Sequence, residues 1–223
     1  MNYKKSDSTF AAMVILSLAN QESVRIENGA MVFHNGKVKL EGKTNGGVVG
    51  GLMKKTFTGE SFFITTATGT EDGAEIAIAP SLLGDIAELE VGSTNYMLND
   101  GAFLASDNGV EISTKSQGLG KAVFGGTGGL FIIQASGQGK LLINGFGQLS
   151  VINLDGSQDY VIDNGHVVCW DANLTYKIEA ASGKFGFTSG EGLVNRFSGT
   201  GKVIIQSRNL NGFAGLIAKF VTK

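Results

Sequence analysis

Short runs of alternating apolar and polar residues, each ending at an Asx-Gly pair, set the pattern of this chain. From Ser93 to Ile112, Tyr96 and Leu98 alternate into Asp100-Gly101, an apolar run follows from Ala102 to Ala105, and Asn108-Gly109 turns the chain back into Val110 and Ile112. This reads as strand, turn, strand, turn, strand. Period-two alternation places one face on a core, and Asn-Gly or Asp-Gly suits the positive φ of a tight hairpin turn. The same order occurs earlier, where Val24 and Ile26 lead to Asn28-Gly29, Ala30 to Phe33 and Asn35-Gly36. It occurs again later, where Tyr160 and Ile162 lead to Asn164-Gly165, His166 to Trp170 and Asn173.

A second module follows each hairpin. Phe62-Phe63-Ile64 through Gly69, Leu130-Phe131-Ile132-Ile133 through Gly137, and Leu193-Val194 through Gly199 share one spacing, and each continues into a further apolar strand around a glycine turn. The repeat is roughly 60 to 70 residues long, longer than usual solenoid units. Each unit can form a small sheet with one apolar face, which must be buried against something. The expectation is an all-β chain of three internally repeated β-units, near 21–91, 92–155 and 156–220, fused around a pseudo-threefold axis in a single domain spanning 1–223. A string of three separate domains is the alternative, which one cooperative melting transition would count against.

Between the modules lie glycine-rich connections at Asn45–Gly51, Gly118–Gly129 and Ser182–Gly186, where glycine permits close backbone approach. Leu82 to Ile86 is expected to form one helical turn, and Asn211 to Phe220 a strand or a short helix. The apolar run Phe10 to Ala19 is expected to be a buried first strand, since about 20 apolar residues are needed to cross a bilayer as a helix.

Composition narrows the picture in two ways. Glycine, at 34 of 223 residues with a single proline, is about twice the usual ~7% and fits many tight turns. A net charge of −2 supplies no basic face for a phosphate backbone, so no nucleic acid is expected as partner. The single cysteine, Cys169, excludes an internal disulfide framework, and the chain opens without a cleavable secretory pattern, so a cytoplasmic location is expected.

Catalytic chemistry is poorly supplied. Gly120-Lys121 is followed by Ala122 where a phosphate loop needs Ser or Thr, and these glycine loops lead into strands rather than helix N-termini. His34 and His166 are the only histidines, and no Gly-x-Ser-x-Gly elbow occurs. His166 and Cys169, three apart in an apparent strand, are expected on opposite faces, His166 as a hydrogen-bonded structural residue and Cys169 as a small core residue. The carboxylates Glu71, Asp72, Glu75, Asp85, Glu88 and Glu90 read as solvated faces and turns. Phe62, Phe63, Phe103, Phe124 and Phe131 lie in apolar runs and read as core. No catalytic residue, metal ligand or cofactor is assigned.

As a set in this order, Gly59-Glu60-Ser61-Phe62-Phe63, Ala79-Pro80 with Gly84-Asp85-Ile86, Gly101-Ala102-Phe103-Leu104-Ala105-Ser106, Phe124-Gly125-Gly126, Gly190-Glu191-Gly192-Leu193 and Gln206-Ser207-Arg208-Asn209 resemble the bacterial branch of the altered inheritance of mitochondria protein 24 family, from about Gln21 to Leu216. The resemblance implies a fold similar to the tryptophan RNA-binding attenuator protein, with three such units in one chain, and it supplies no catalytic residues. Thr127-Gly128-Gly129 departs from the Gly-Glu-Gly of relatives, so no functional carboxylate is carried over there.

Two functions stand as expectations. The leading one is a non-catalytic β-rich scaffold or interaction protein, binding protein partners or itself as a homo-oligomer, with peripheral membrane association and no transmembrane segment. The alternative is a small-ligand binder or enzyme with a pocket between β-units, lined by polar residues such as Glu191, Arg208 and Asn209.

Overall fold

The computed structural model describes residues 1–8, 10–44, 63–116, 131–181 and 193–221. Eight strands come first: β1 (Asn2–Lys5), β2 (Val14–Leu18), β3 (Ser23–Glu27), β4 (Met31–His34), β5 (Val38–Thr44), β6 (Phe63–Gly69), β7 (Ala74–Ile78) and β8 (Ile86–Val91). Then come β9 (Tyr96–Leu98), β10 (Phe103–Asp107), β11 (Val110–Ser116), β12 (Phe131–Gly137), β13 (Gly139–Asn144) and β14 (Leu149–Asp155). The last are β15 (Tyr160–Asp163), a 3-10 turn (Asn164–His166), β16 (Val167–Asp171), β17 (Thr175–Ala180), β18 (Leu193–Ser198), β19 (Thr200–Gln206) and a terminal helix α1 (Leu210–Val221). The chain is all-β apart from these two helical pieces among the described residues.

Four sheets result, and the strand pairings within them are antiparallel among the described residues. Two have six strands, in the orders β5-β6-β3-β10-β13-β8 and β11-β12-β9-β16-β19-β14. The second order is the first with every strand advanced by six. A four-stranded sheet, β1-β2-β7-β4, and a three-stranded one, β15-β18-β17, complete the set. A bulge falls between Met31 and Phe33 in β4, between Phe103 and Ala105 in β10, and between Val167 and Cys169 in β16. The extra residue lets β10 turn Phe103 into one core cluster and both Leu104 and Ala105 into another.

Burial follows directly from the apolar patterning. In β2 the alternation Val14, Leu16, Leu18 faces inward. In β13 the continuous run Leu141-Leu142-Ile143 is buried on both faces, Leu142 joining the cluster with Val24, Ile26 and Leu104, and Leu141 and Ile143 the cluster with Leu98, Phe103 and Cys169. Such a run reads as unbroken hydrophobicity because neither face meets water. Each fully buried Leu or Ile contributes about 1.5–3 kcal/mol of hydrophobic stabilisation. A third cluster centres on Trp170, which meets Tyr176 edge-on at 5.0 Å and Phe197 at 5.5 Å between ring centroids.

Several expectations are corrected. The Asx-Gly pairs Asn28-Gly29, Asn35-Gly36, Asp100-Gly101 and Asn108-Gly109 turn the chain from one sheet into another rather than closing hairpins, because β3, β4 and β5, like β9, β10 and β11, alternate between sheets. Leu82 to Ile86 forms no helical turn; Gly84 makes an isolated parallel bridge to Gly147 instead, supported by Asp85 N–H donating to the Gly147 carbonyl at 2.9 Å. The first strand of the apolar run begins at Val14 rather than Phe10. Of the two forms expected for Asn211 to Phe220, the helix is the one observed, inside α1. His166 sits in the 3-10 turn rather than in the strand, so the opposite-face argument for His166 and Cys169 does not apply. The three glycine-rich connections, Phe62 and Phe124 lie outside the described residues, as do the side chains of Phe63 and Phe131. Phe103 is core, with no exposure.

Candidate functional site

The ends of β9, β13 and β19 converge with the 3-10 turn and the start of α1 on a cleft of about 250 Å³. Its polar lining is mostly amide: Asn99, Asn144, Asn164, Gln206 and Asn209, with Leu82 and Leu210 among the apolar residues. Turn chemistry brings these groups together. Asn99 precedes Asp100-Gly101, where Gly101 takes φ +74° and Ala102 N–H closes the turn on the Asn99 carbonyl at 3.2 Å. Asn164 follows Asp163, whose carboxylate accepts Gly165 N–H at 2.8 Å and caps the 3-10 turn.

Most of the amides also tie the backbone of neighbouring strands. Asn99 Nδ2 donates to the Val167 carbonyl at 2.7 Å, and Asn144 Nδ2 to the Gly101 carbonyl at 3.0 Å. Gln206 Nε2 donates to the Gly165 carbonyl at 2.9 Å while its Oε1 accepts Phe146 N–H at 2.8 Å. Asn209 Nδ2 reaches Asp163 Oδ1 at 3.4 Å, its Oδ1 accepts Gly212 N–H at 3.2 Å, and its amide occupies the space a Cβ on Gly165 would need. Asp100 is the one ionisable group among the described lining residues. The cleft thus holds strand ends in place through these amides and offers hydrogen bonds to its interior.

Of the three residues expected in a pocket, Asn209 lines this cleft. Arg208 does not; it is exposed beside Gly147, its backbone N–H donating to the Phe146 carbonyl at 3.2 Å. Glu191 lies outside the described residues. Asn99, Asn144, Asn164 and Gln206 were not singled out from sequence, because an Asn beside a turn looks like turn chemistry and nothing more.

His166 is a structural residue, its Nδ1 2.7 Å from the Gln206 carbonyl. Cys169 has no solvent exposure, and burial pushes its thiol far above the ordinary range, with the nearby Asp171 charge adding to the effect. His34 Nδ1 accepts Gly36 N–H at 3.1 Å. Among the described residues no three His, Cys, Asp or Glu side chains gather as metal ligands. Near the cleft, burial raises Glu27 to about 7, and repulsion from Asp100 contributes.

A second feature is the edge of the four-stranded sheet. Strand β4 pairs with β7 on one side only, and all four of its residues are exposed: Met31 42%, Val32 53% and Phe33 45%, with His34. Strands β10 and β16, which carry the same bulge, are central in their sheets, and Phe103, Leu104, Val167 and Val168 are buried. Strand β15 is likewise paired on one side only, with β18, and leaves Val161 50% exposed. The helix α1 carries a further apolar stripe of Leu210, Phe213, Leu216, Ile217 and Phe220, none of it buried. No described helix is long and apolar enough to cross a membrane.

Comparison with known proteins places these features in a lineage. A solved crystal structure of a Streptococcus pyogenes protein is similar over 98% of this chain and 99% of its own, with 38% identity and a TM-score of 0.82. An uncharacterized protein of Streptococcus pyogenes serotype M6 is 42% identical over 216 residues, covering 94% of this chain and 86% of that protein. The profile of the family described as mitochondrial biogenesis AIM24 matches residues 3–208. Carrying that profile over nearly its whole length and having bacterial relatives, the chain belongs to the mitochondrial biogenesis AIM24 family, in its bacterial branch.

Proposed function

We propose that this protein is a non-catalytic scaffold: one domain of three fused β-units, near 21–91, 92–155 and 156–220, that acts through open sheet edges. The carrying observation is β4, an apolar strand exposed on every residue although β10 and β16, its counterparts six and twelve strands on, are buried. The threefold unit, related to the attenuator-like fold, is supported by the six-strand advance between sheets and by the bulge in β4, β10 and β16. An exposed apolar edge presents unpaired backbone groups and side chains that water solvates poorly, and another strand satisfies both. The unburied stripe on α1 supports placing this scaffold in a membrane-associated assembly within the cytoplasm.

The test is site-specific photo-crosslinking in cells, with the reactive residue at Val32 and, as control, at Leu83, which is 51% exposed but outside any strand. Adducts of higher mass from Val32 and few from Leu83 are expected. Equal yields from the two positions, or none from Val32, overturn the scaffold reading.

A second reading rests on the amide-lined cleft: a small polar ligand held by Asn209 and its neighbours, with Glu191 and Arg208 proposed at its margin. A ligand at 100 times its Kd adds roughly 2.7 kcal/mol of stability. A thermal-shift screen of small polar metabolites that stays flat throughout removes this reading.

A further inference from the structure

The side-chain oxygens left open in the amide-lined cleft decide what it can hold. We infer that the cleft binds the ammonium group of a small primary aliphatic amine, with Asn99 Oδ1, Asn144 Oδ1 and the Asp100 carboxylate as acceptors and Leu82 and Leu210 beside its alkyl chain. The inference rests on the reading of this cleft as a ligand site and names the class of ligand.

Hydrogen bonds within the protein leave the lining rich in acceptors. Gln206 and Asn209 have both ends of their amides engaged. Asn99 and Asn144 donate from Nδ2 to the Val167 and Gly101 carbonyls, whereas their Oδ1 atoms take no donor among the described residues. Neither oxygen is sealed away, since the buried side-chain atoms without a partner are Ser106 Oγ and Asn195 Oδ1. Asn99 is 9% exposed and Asn144 3%, so the little solvent they meet is that of the cleft they line. Neither amide can turn its oxygen inward without stranding the carbonyl that its nitrogen now satisfies. Both acceptors are therefore held in place before any ligand arrives.

Charge selects a cation. Asp100 is exposed, and no described lysine, arginine or histidine forms an ion pair with it or with Glu27. The two carboxylates are close enough to repel one another. This unanswered negative charge favours a cation and disfavours a carboxylate or phosphate. The helix α1 also begins at the cleft, but its first turn is already answered, Asn209 Oδ1 accepting Gly212 N–H and the Asn209 carbonyl accepting Phe213 N–H at 3.0 Å. A calcium ion takes about six to eight oxygens, more than this set supplies. An ammonium group instead has one N–H for each of the acceptors named. At about 250 Å³ the cleft falls below the roughly 300–1,000 Å³ of sites for drug-sized molecules, which suits a short alkyl chain.

The experiment is isothermal titration calorimetry of the intact chain at pH 8 with butylammonium chloride, which is protonated there as a lysine side chain is. The comparison probes are 1-butanol, which lacks the charge, sodium butyrate, which reverses it, and tetramethylammonium chloride, which keeps the charge but has no N–H. Butylammonium is expected to bind, and each of the others at least tenfold more weakly. Asp100→Asn keeps an Asx-Gly turn like Asn28-Gly29, so it is expected to melt close to wild type and to bind butylammonium at least tenfold more weakly. Glu111→Gln removes an exposed carboxylate on β11, outside the cleft lining, and is expected to bind as wild type does. Equal binding of 1-butanol, unchanged affinity in a folded Asp100→Asn, an equal loss in Glu111→Gln, or no binding of butylammonium overturns the inference. If butylammonium fails while another small polar metabolite raises the melting temperature, the cleft remains a ligand site and the amine class falls. If that screen is flat as well, both fall.

Discussion

The carboxylate of Asp171 accepts the backbone N–H of Lys202 at 2.9 Å. Asp107 does the same for Lys140 at 2.8 Å, and Asn35 does it for Glu75 at 3.2 Å. In each case the side chain supplies an acceptor to the N–H one position beyond the last paired residues of the ladder. Because burial raises the Asp171 pKa, with the Lys202 amide and charge pulling it back down, an uncharged acceptor suits the position well. Asp171→Asn is expected to leave stability within about 0.5 kcal/mol of wild type. Asp171→Ala strands the Lys202 N–H and is expected to cost about 1–3 kcal/mol. Urea denaturation of both variants at neutral pH checks the pair.

Glu27 gives the protein a pH dependence with a definite sign. Its carboxyl is raised from 4.5 to about 7 by burial first and by Asp100 second. The folded state therefore keeps this proton at pH values where the unfolded chain has lost it. Stability falls as pH climbs from 4.5 to about 7, and above that range Glu27 carries its full penalty. Glu27→Gln is expected to stabilise by about 2 kcal/mol at pH 8, allowing for solvent screening of a half-buried group, and by little at pH 4. An equal gain at the two pH values would show that the carboxyl is not the cause.

Gly84 and Gly42 are expected to respond in opposite directions to alanine. A Cβ on Gly84 would collide with the Gly145 carbonyl and stand 2.7 Å from Gly147 N and 2.8 Å from Gly147 O, in the parallel bridge that joins two parts of the chain. Those atoms are backbone and cannot swing aside, so Gly84→Ala is expected to cost about 3 kcal/mol or more. Gly42 lies in β5 with nothing within 4 Å and no left-handed φ. Gly42→Ala is expected to gain about 0.5 kcal/mol by restricting the unfolded chain. Thermal melts of the two variants beside wild type decide it.

Cys169 is expected to be silent until the protein opens. It has no exposure, and its thiol is held protonated by burial. A thiol-reactive chromophore at pH 8 should label less than a tenth of the protein in an hour under native conditions and one thiol per chain in denaturant. Rapid native labelling would mean that the cluster around Leu98, Phe103 and Ile204 opens far more readily than its packing implies.

Strand positions and most turns were legible in the sequence because they rest on local chemistry. Asn28-Gly29 and Asp100-Gly101 turn the chain as their residue types require, with Gly29 at φ +83° and Gly101 at φ +74°, but they lead from one sheet into another and close no hairpin. Asn164-Gly165 reads the same and folds differently, as a 3-10 turn, because Asp163 caps it and Asn209 fills the space beside Gly165. The bulges were invisible, since an extra residue in a run apolar on both faces leaves the alternation with nothing to break. The bridge at Gly84 and Gly147 depends on two segments far apart in sequence, which no local pattern encodes. Of the cleft, Asn209 was legible only through its motif, and the amides opposite it gather there because distant strands end together.

The sheet pairings also govern how this chain is made. Strand β8 pairs with β13, Ile86 opposite Asn144, and β14 with β19, Leu149 opposite Gln206. A strand leaving the ribosome thus waits for a partner that lies far downstream. At the usual ~5–20 residues per second, the roughly 58 residues between partners take about 3–12 s to emerge. Sheets built from such distant pairs also form slowly once the chain is complete, in milliseconds to seconds. Through synthesis, then, β8 and β14 stand with an open edge until their downstream partners emerge.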